Sequence, residues 1–378
     1  MTGPARHITE SFVRITDPRV DRGQNHDLLE MIFVALTATI CGADGWTDIE
    51  RFGKAKIDWF RRYVKLEHGM PSHDTFGRVF ARLDSGEFLS AMHRWVDAFA
   101  GALRGQGVAI DGKTLRGSFD KAASHSPLHT ITAFATETRL CLRQISVDDK
   151  SNEIPAVPEL LKLLELKGSV VTLDAMHCQK ETVKAIRDAE ADFLITVKGN
   201  QPTLYGAIAD LFLAYGESDY QVKGLRRNVT VDNKSHGRNE RRMYYTIAAP
   251  KDGVFADWTD IQSIGMVYRQ RETNGKLHEE THFFITSLPP RVKRLSKLLR
   301  DHWKIENCEH YVLDVTFSED ASRIRKGSAP EIAGAFRRMA LNILQKDTTI
   351  KDTIRGKRLR AGWDGVALDA IFTGFQTA

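Results

Sequence analysis

Apolar positions in the first hundred residues recur at helical spacing. The run LLEMIFVALTATICG is apolar on nearly every face, with Asp27 placed to cap a helix and Gly42 placed to end it. A second helix is predicted over roughly Thr47 to Val64. PSHDTFGRVFARLD offers Ser72 or Asp74 as a cap, with Phe76, Val79, Phe80 and Leu83 on one face. A fourth helix is expected from Glu87 to about Leu103, aligning Phe88, Met92, Trp95 and Phe99. Short helices joined by tight turns suit a helix-turn-helix bundle, and equally an all-helical packing domain that touches no DNA.

From Gly107 the period falls towards two. VAID is a short apolar run, and HTITAFAT and LCLRQISV, separated by Glu137-Thr138-Arg139, read as a hairpin. Pro155 and Pro158 introduce a helix through LLKLLELKG. The strand SVVTLDA ends at Asp174, and helix QKETVKAIRDAEA and strand FLITVKG follow. This β-β-β-α-β-α-β order predicts an α/β fold, a mixed sheet covered by helices. Residues from about 201 to 287 interrupt it with further β-like stretches, among them SIGMVYRQRE and LHEETHFFITS around the turn Asn274-Gly275. A long helix is predicted from Val292 to about Val315 and another from Pro330 to Gln345. The expected division is a helical domain at 1–104, a catalytic core at 105–200 and 288–347, a β-rich insertion at 201–287, and a basic tail at 348–378.

Composition narrows the class. With 42% apolar and 27% charged residues over 378 positions, the chain has the make-up of a folded globular protein. The net charge of +5 is mild, so the placement of Lys and Arg matters more than their sum. Cys41, Cys141, Cys178 and Cys308 form no C-x-x-C pair, which argues against a structural zinc site and points to a reducing interior. The start is polar, and Leu28 to Cys41 is too short to span a bilayer and carries Glu30. A soluble, cytoplasmic protein is expected.

Two aspartates close apolar strands, Asp111 after GVAI and Asp174 after SVVTL. Strand ends are where α/β sheets place their sites, although either residue could equally cap a turn. The third carboxylate stands out by phase. Val292, Leu295, Leu299 and Trp303 form one apolar stripe, and at 100° per residue Glu306 falls back onto it, beside His302 and His310. A Glu turned inward needs a partner; the alternative is a partly exposed Glu paired with a surface base. Three carboxylates without a thiol set favour Mg²⁺ or Mn²⁺, and two such ions can serve phosphodiester chemistry. Gly107 to Thr114 satisfies G-x-x-x-x-G-K-[ST], but the strand lies between the glycines, so a phosphate loop is excluded. His177-Cys178 reads as a surface or helix-start pair rather than a nucleophile and its base. Lys113, Arg116 and Lys198 at strand ends could hold phosphates, and His302 is a further candidate contact for DNA. Arg323 and Arg325, and the cluster of Lys357, Arg358 and Arg360, form either a solvated face or a DNA track.

The ordered blocks VAIDGKTLRGS, TLDAMHCQK, FLITVKGNQP, SHGRNERR and RDHWKIENCEHYVLDVTFSED resemble the H-repeat-associated insertion-sequence transposases of the DDE superfamily. The resemblance extends from DPRVDRGQNHDLLEMI to RGKRLRAGW. It implies a ribonuclease-H-like core, an acidic triad of Asp111, Asp174 and Glu306, and a β-rich insertion ahead of the glutamate helix. It further implies two divalent ions, double-stranded DNA (terminal inverted repeats and target) as partner, and a homodimer when DNA is bound. In related transposases an Arg and a Lys flank the catalytic Glu; the matching positions here look like His302 and Leu313. Glu309 and Tyr311 also stand where the family often has an apolar residue and Trp. The expected activity is strand cleavage at element ends and transfer of the 3′-hydroxyl into target DNA. A DNA-binding relic, or a nuclease that cuts without joining, are the alternatives.

Overall fold

The computed structural model describes residues 3–20, 24–119, 126–147, 153–235, 238–273 and 275–377. They fall into two compact units, one of Met1–Ala102, Gly112–Glu153 and Ile305–Ala378, the other of Leu103–Asp111 and Ile154–Lys304. We call them the helical unit and the sheet unit.

The helical unit starts with α1 (Pro4–Phe12), which was not anticipated because its sequence looks polar; Ile8 and Phe12, one turn apart, are both buried. Helix α2 (Leu28–Ile40) is apolar all round and buried all round. Asp27 caps it, accepting from the Glu30 N–H. The predicted helix at 47–64 is two pieces, α3 (Trp46–Ala55) and α4 (Ile57–Phe60), broken at Lys56. Ser72 caps α5 (His73–Arg82) and Asp84 caps α6 (Ser85–Ala100). Strand β1 (Gly107–Thr114) runs through the boundary, so only its last three residues belong here. Beside them lies β2 (His129–Ala135), hydrogen-bonded antiparallel to β3 (Leu140–Val147).

The sheet unit takes all but the first residue of α7 (Glu153–Lys162), a helix that contains both Pro155 and Pro158 rather than starting after them. Strand β4 (Val170–Leu173), α8 (Lys180–Asp188) and β5 (Asp192–Val197) follow. Next comes α9 (Pro202–Glu217), missed in a stretch read as β-like; Leu204, Ile208 and Phe212 form its buried face. Four long strands complete the unit: β6 (Arg226–Ser235), β7 (Arg238–Ala248), β8 (Ser263–Thr273) and β9 (Lys276–Thr286). Asn274 lies outside the described residues; Gly275 has φ +72°, and β8 and β9 pair from Thr273 and Lys276. The order in this unit is β1-β4-β5-β9-β8-β7-β6, with β1, β4 and β5 parallel and the rest antiparallel. The sheet is therefore mixed, and the chain order of meander, helix, strand, helix, strand is the ribonuclease-H-like one. Helix α10 (Val292–His302) covers it, sinking Leu295 and Leu298 among Val170, Leu194, Tyr244 and Phe284.

The chain then returns to the helical unit with a π-helical turn, Ile305–His310, and α11 (Tyr311–Thr316), α12 (Ala329–Lys346), α13 (Ile354–Trp363) and α14 (Gly365–Thr377). Helix α12 is the core of this unit: Ala329, Ile332 to Leu344 are buried without a break, against α2, α5, α6 and β3. The region expected as a basic tail thus contributes two helices, α13 and α14, to the same unit as the amino-terminal ones.

Asn342 ties α12 to the edge of β3. Its side chain accepts from the Cys141 N–H at 2.9 Å and donates to the Cys141 carbonyl at 2.9 Å, with no exposed surface. Asn342→Leu leaves two buried backbone groups without partners, each worth about 1–3 kcal/mol. We expect a loss of at least about 2 kcal/mol, read as a lower urea midpoint at unchanged slope; an unchanged midpoint would remove Asn342 from the account.

Candidate active site

In the sheet unit the register of β1 against β4 decides where the aspartates stand. Val108 pairs with Val171 and Ala109 with Thr172, in parallel. Carried two residues further, the same register sets Asp111 beside Asp174. Asp174 directly follows the last residue of β4, whereas β1 runs on past Asp111 to Thr114, so Asp111 lies within its strand and does not close it as expected. Both are partly exposed, above strands that are fully buried. Asp174 does act as a cap: its Oδ1 accepts from the Met176 N–H at 3.1 Å, starting a short 3-10 turn, Ala175–His177. A capping carboxylate keeps its other oxygen available, so the cap fixes this side chain without using it up.

The loop after Asp174 is itself clamped. Asn200 donates to the Ala175 carbonyl at 2.7 Å, and Gln201 to the Cys178 carbonyl at 2.8 Å. Both amides lie in the FLITVKGNQP block, where the sequence alone assigns them no role. The signal was an amide pair directly after the strand next to β4. Cys178 is buried and its thiol is pushed up to about 12 by burial, so it is no nucleophile.

The glutamate helix departs from expectation. A continuous helix was to carry Val292, Leu295, Leu299, Trp303 and Glu306 inward on one stripe. Instead the α-helix ends at His302, Trp303 is 57% exposed, and the Glu306 side chain is 49% exposed. Because the α-helix has already stopped and the chain turns in π-helical geometry from Ile305, the 100° phase does not carry on to Glu306. Ile305, Glu309 and His310 are the buried residues of this turn. His310 Nδ1 lies 3.6 Å from Glu306 Oε2. His302, expected on DNA, has its Nδ1 3.0 Å from the Thr172 hydroxyl, which anchors the end of α10 to β4 two residues before Asp174.

Within the helical unit a buried charge network holds the π turn to the end of β1. Arg338, with no exposed surface, donates to Glu309 at 3.1 Å and to Glu319 at 3.0 Å. Lys113 pairs with Asp314, with Asp320 at 3.1 Å and with Glu319 at 3.5 Å. Lys113 is therefore an internal cation and not the surface phosphate contact expected. Burial would lower its pKa, but Glu319, Asp314 and Asp320 outweigh burial and raise it. Glu319 is held below its ordinary value because Arg338, Arg337 and Lys113 together overcome burial. Glu309 moves the other way: burial dominates, and Arg338 only partly offsets it. Gly112 is required here, since any β-carbon would meet the Glu153 carboxylate at 2.6 Å, and His129 holds that carboxylate with Nε2 at 2.6 Å from Oε1.

The remaining basic candidates separate by burial. Arg116, Lys198, Arg323 and Arg360 are exposed, Arg360 pairing with Asp352 at 3.1 Å. Arg325 is half-buried, donating to the Gly117 carbonyl at 3.1 Å with its guanidinium 4.6 Å from the Phe119 ring centroid. Lys357 and Arg358, expected on a basic surface, point inward to helix carbonyl ends. Lys357 reaches the Leu344 carbonyl at 2.9 Å and the Asp347 carbonyl; Arg358 reaches the carbonyls of Thr39 at 3.1 Å and of Thr316, and Asp44 at 2.9 Å.

Asp111, Glu306 and His310 each offer an oxygen or nitrogen of the kind that binds metal. Asp111 and Asp174 on neighbouring parallel strands, with Glu306 in the turn after α10, are oxygen donors of the type that metal-dependent phosphodiester enzymes use. Comparison with known proteins gives the family. Residues 103–343 match the profile described as the transposase DDE domain, and residues 9–96 the one described as DDE_Tnp_1-associated. The chain belongs to the DDE transposase family. It is 36% identical over 375 residues to YncI of Escherichia coli O157:H7, a transposase by name, covering 96% of this chain and 95% of that protein. YhhI of Escherichia coli K12, named as H repeat-associated, is 32% identical over 379 residues, with 98% of each chain covered. Among solved structures, a piggyBac transposase synaptic complex with hairpin DNA aligns at a TM-score of 0.42 and 10% identity, over 98% of this chain and 77% of that one.

Glu319 sets a pH test. Its folded pKa lies below the unfolded value, so its stabilisation is complete above about pH 4.3 and is lost as pH falls through the folded pKa. Glu319→Gln should cost about 3–5 kcal/mol at pH 7, because Arg338 and Lys113 stay buried with one counter-charge fewer. It should also flatten the acid limb of stability below about pH 4. Urea titrations at pH 7 and pH 3.5 giving equal losses in the variant would show that Glu319 is not the titrating group.

Proposed function

We propose that this transposase cleaves DNA strands at the ends of its element and joins the freed 3′-hydroxyl to target DNA, using divalent metal held by Asp111, Asp174 and Glu306. The parallel register of β1 and β4 carries this reading, because continued two residues it puts Asp111, within β1, beside Asp174, just after β4. Two links bear on the third. His302 pins the end of α10 to β4, and the Lys113–Arg338 network fixes the π turn to the strand that bears Asp111. The donor set fits a hard ion: carboxylate oxygens, with His310 as a further donor and no thiolate. When bound, Mg²⁺ or Mn²⁺, as two ions, supplies a nucleophilic water or hydroxyl near neutral pH and charge for the leaving oxygen.

The chain's own residues do the positioning. Asp174 is fixed by its cap and by the Asn200 and Gln201 clamps on its loop. Gly112 leaves the space next to Asp111 to the Glu153 carboxylate. Arg116, Lys198 and Arg323, exposed, are proposed to hold phosphates of double-stranded DNA at the element ends and in the target. Handling two ends calls for a homodimer in the DNA-bound state. We place its work on genomic DNA in the cytoplasm, as suits its bacterial relatives.

Asp174→Asn tests the assignment directly. Nicking of a duplex that carries an element end, with Mg²⁺, should fall by about 10²–10³-fold, the equivalent of several kcal/mol of lost charge stabilisation. Cleavage at the wild-type rate would refute the metal site. Wild-type nicking without strand transfer would favour a nuclease, and DNA binding without nicking a relic.

A further inference from the structure

Helix α10 carries an excess of positive charge that its own packing does not call for. Its apolar side is spent on the sheet through Leu295 and Leu298. Lys293, Arg294, Lys297 and Arg300 are exposed, and so is Arg291 at the N-cap. Lys293, Lys297 and Arg300, four and then three residues apart, lie on one stripe. The single acid of the helix, Asp301, is shared by Lys297 at 2.8 Å and by Lys304, just beyond it, at 2.9 Å. Arg300 lies 3.9 Å from Asp232. Among the described residues, Arg291, Lys293 and Arg294 have no ion pair.

This arrangement works against the helix. A helix N-terminus carries a partial positive charge, which carboxylates favour and cations oppose. The first turn of α10 has no acid, and Arg291, Lys293 and Arg294 all stand there. Like charges four residues apart, as Lys293 and Lys297 are, repel, and so do those three apart, Arg294 with Lys297 and Lys297 with Arg300. A face that served only solubility would intersperse acids with its bases. Charges set against the local preference are accounted for when an anion outside the fold neutralises them together. Trp303, at the carboxyl end of the helix, is exposed and adds a flat apolar surface.

We propose that the outer side of α10 is a track for the phosphate backbone of duplex DNA. Lys and Arg meet phosphates whatever the sequence, so this contact holds the duplex without reading it. The chain runs from this helix straight into the turn that bears Glu306, so the element that grips the backbone also leads to a proposed metal ligand. It supplies the basic surface that Lys357 and Arg358, turned inward, do not. That the polyanion is DNA rests on the function proposed above; that the helix takes a polyanion does not.

The test compares the full chain with a variant carrying Arg291→Gln, Lys293→Gln and Arg294→Gln, by fluorescence anisotropy on a labelled duplex at several salt concentrations. The variant's slope of log affinity against log salt should be shallower by about 2.7, three phosphate contacts at about 0.9 each. The change should be equal for a duplex that carries an element end and for an unrelated one. Its melting temperature should stay level or rise, since repulsion along the helix is relieved. A second variant, Lys162→Gln with Lys167→Gln and Lys184→Gln, removes the same charge from exposed, acid-paired residues of the same unit. It should keep the wild-type slope. An unchanged slope in the α10 variant, or an equal fall in the second variant, overturns the proposal. A large drop in the melting temperature of the α10 variant does so too, by making these bases structural. A wild type that binds no duplex overturns DNA as the occupant and the DNA-handling function with it, which sets that failure apart from the others.

Discussion

Arg338 has no contact with solvent, and neither do the two glutamates it holds. Burying three charges in this way is poor economy for stability alone, because a well-packed apolar set of similar volume does as well or better. What the arrangement secures is position. Lys113, at one end of the network, stands two residues past Asp111; Glu309, at the other, stands three residues past Glu306. The network therefore connects segments that are far apart in the chain and adjacent to proposed metal ligands. Its members cannot be removed singly without leaving a buried charge, so the geometry tolerates little drift.

The same economy of cations recurs at the carboxyl end. Arg358 serves the last carbonyls of α2 and α11, and Lys357 those that close α12. Helix ends leave orphan carbonyls and a partial negative charge, which a basic side chain satisfies better than water once the ends are buried. A run that reads as a DNA track is therefore partly a hub for helix ends. The mild net positive charge overstates the surface available to nucleic acid.

Much of the architecture was legible in the sequence, for reasons that particular residues make clear. Asp27, Ser72 and the all-apolar run of α2 speak locally, and so do the apolar start of β1 and the whole of β4, although β1 runs on past Asp111. What could not be read depends on partners distant in the chain. Helices α1 and α9 show too short or too mixed a pattern for periodicity to stand out. Lys113, Lys357 and Arg358 look like surface residues until the acids and carbonyls that receive them are placed. The roles of Asn200 and Gln201 become visible only once β5 is set beside β4.

The glutamate helix shows how a sound physical rule can fail on a local irregularity. Regular α-helical phase turns Glu306 inward, and inward burial was the reason to notice it. The π turn reverses that: Glu306 faces out, and Glu309, three residues on, takes the buried place and is consumed by Arg338. The proposed chemistry needs an acid that a metal and a DNA strand can reach, and Glu309, buried against a guanidinium, is out of reach of both. The irregular turn thus leaves Glu306 accessible for the proposed chemistry and puts Glu309 into the fold, which an unbroken α-helix carrying Glu306 on its inward stripe would not do.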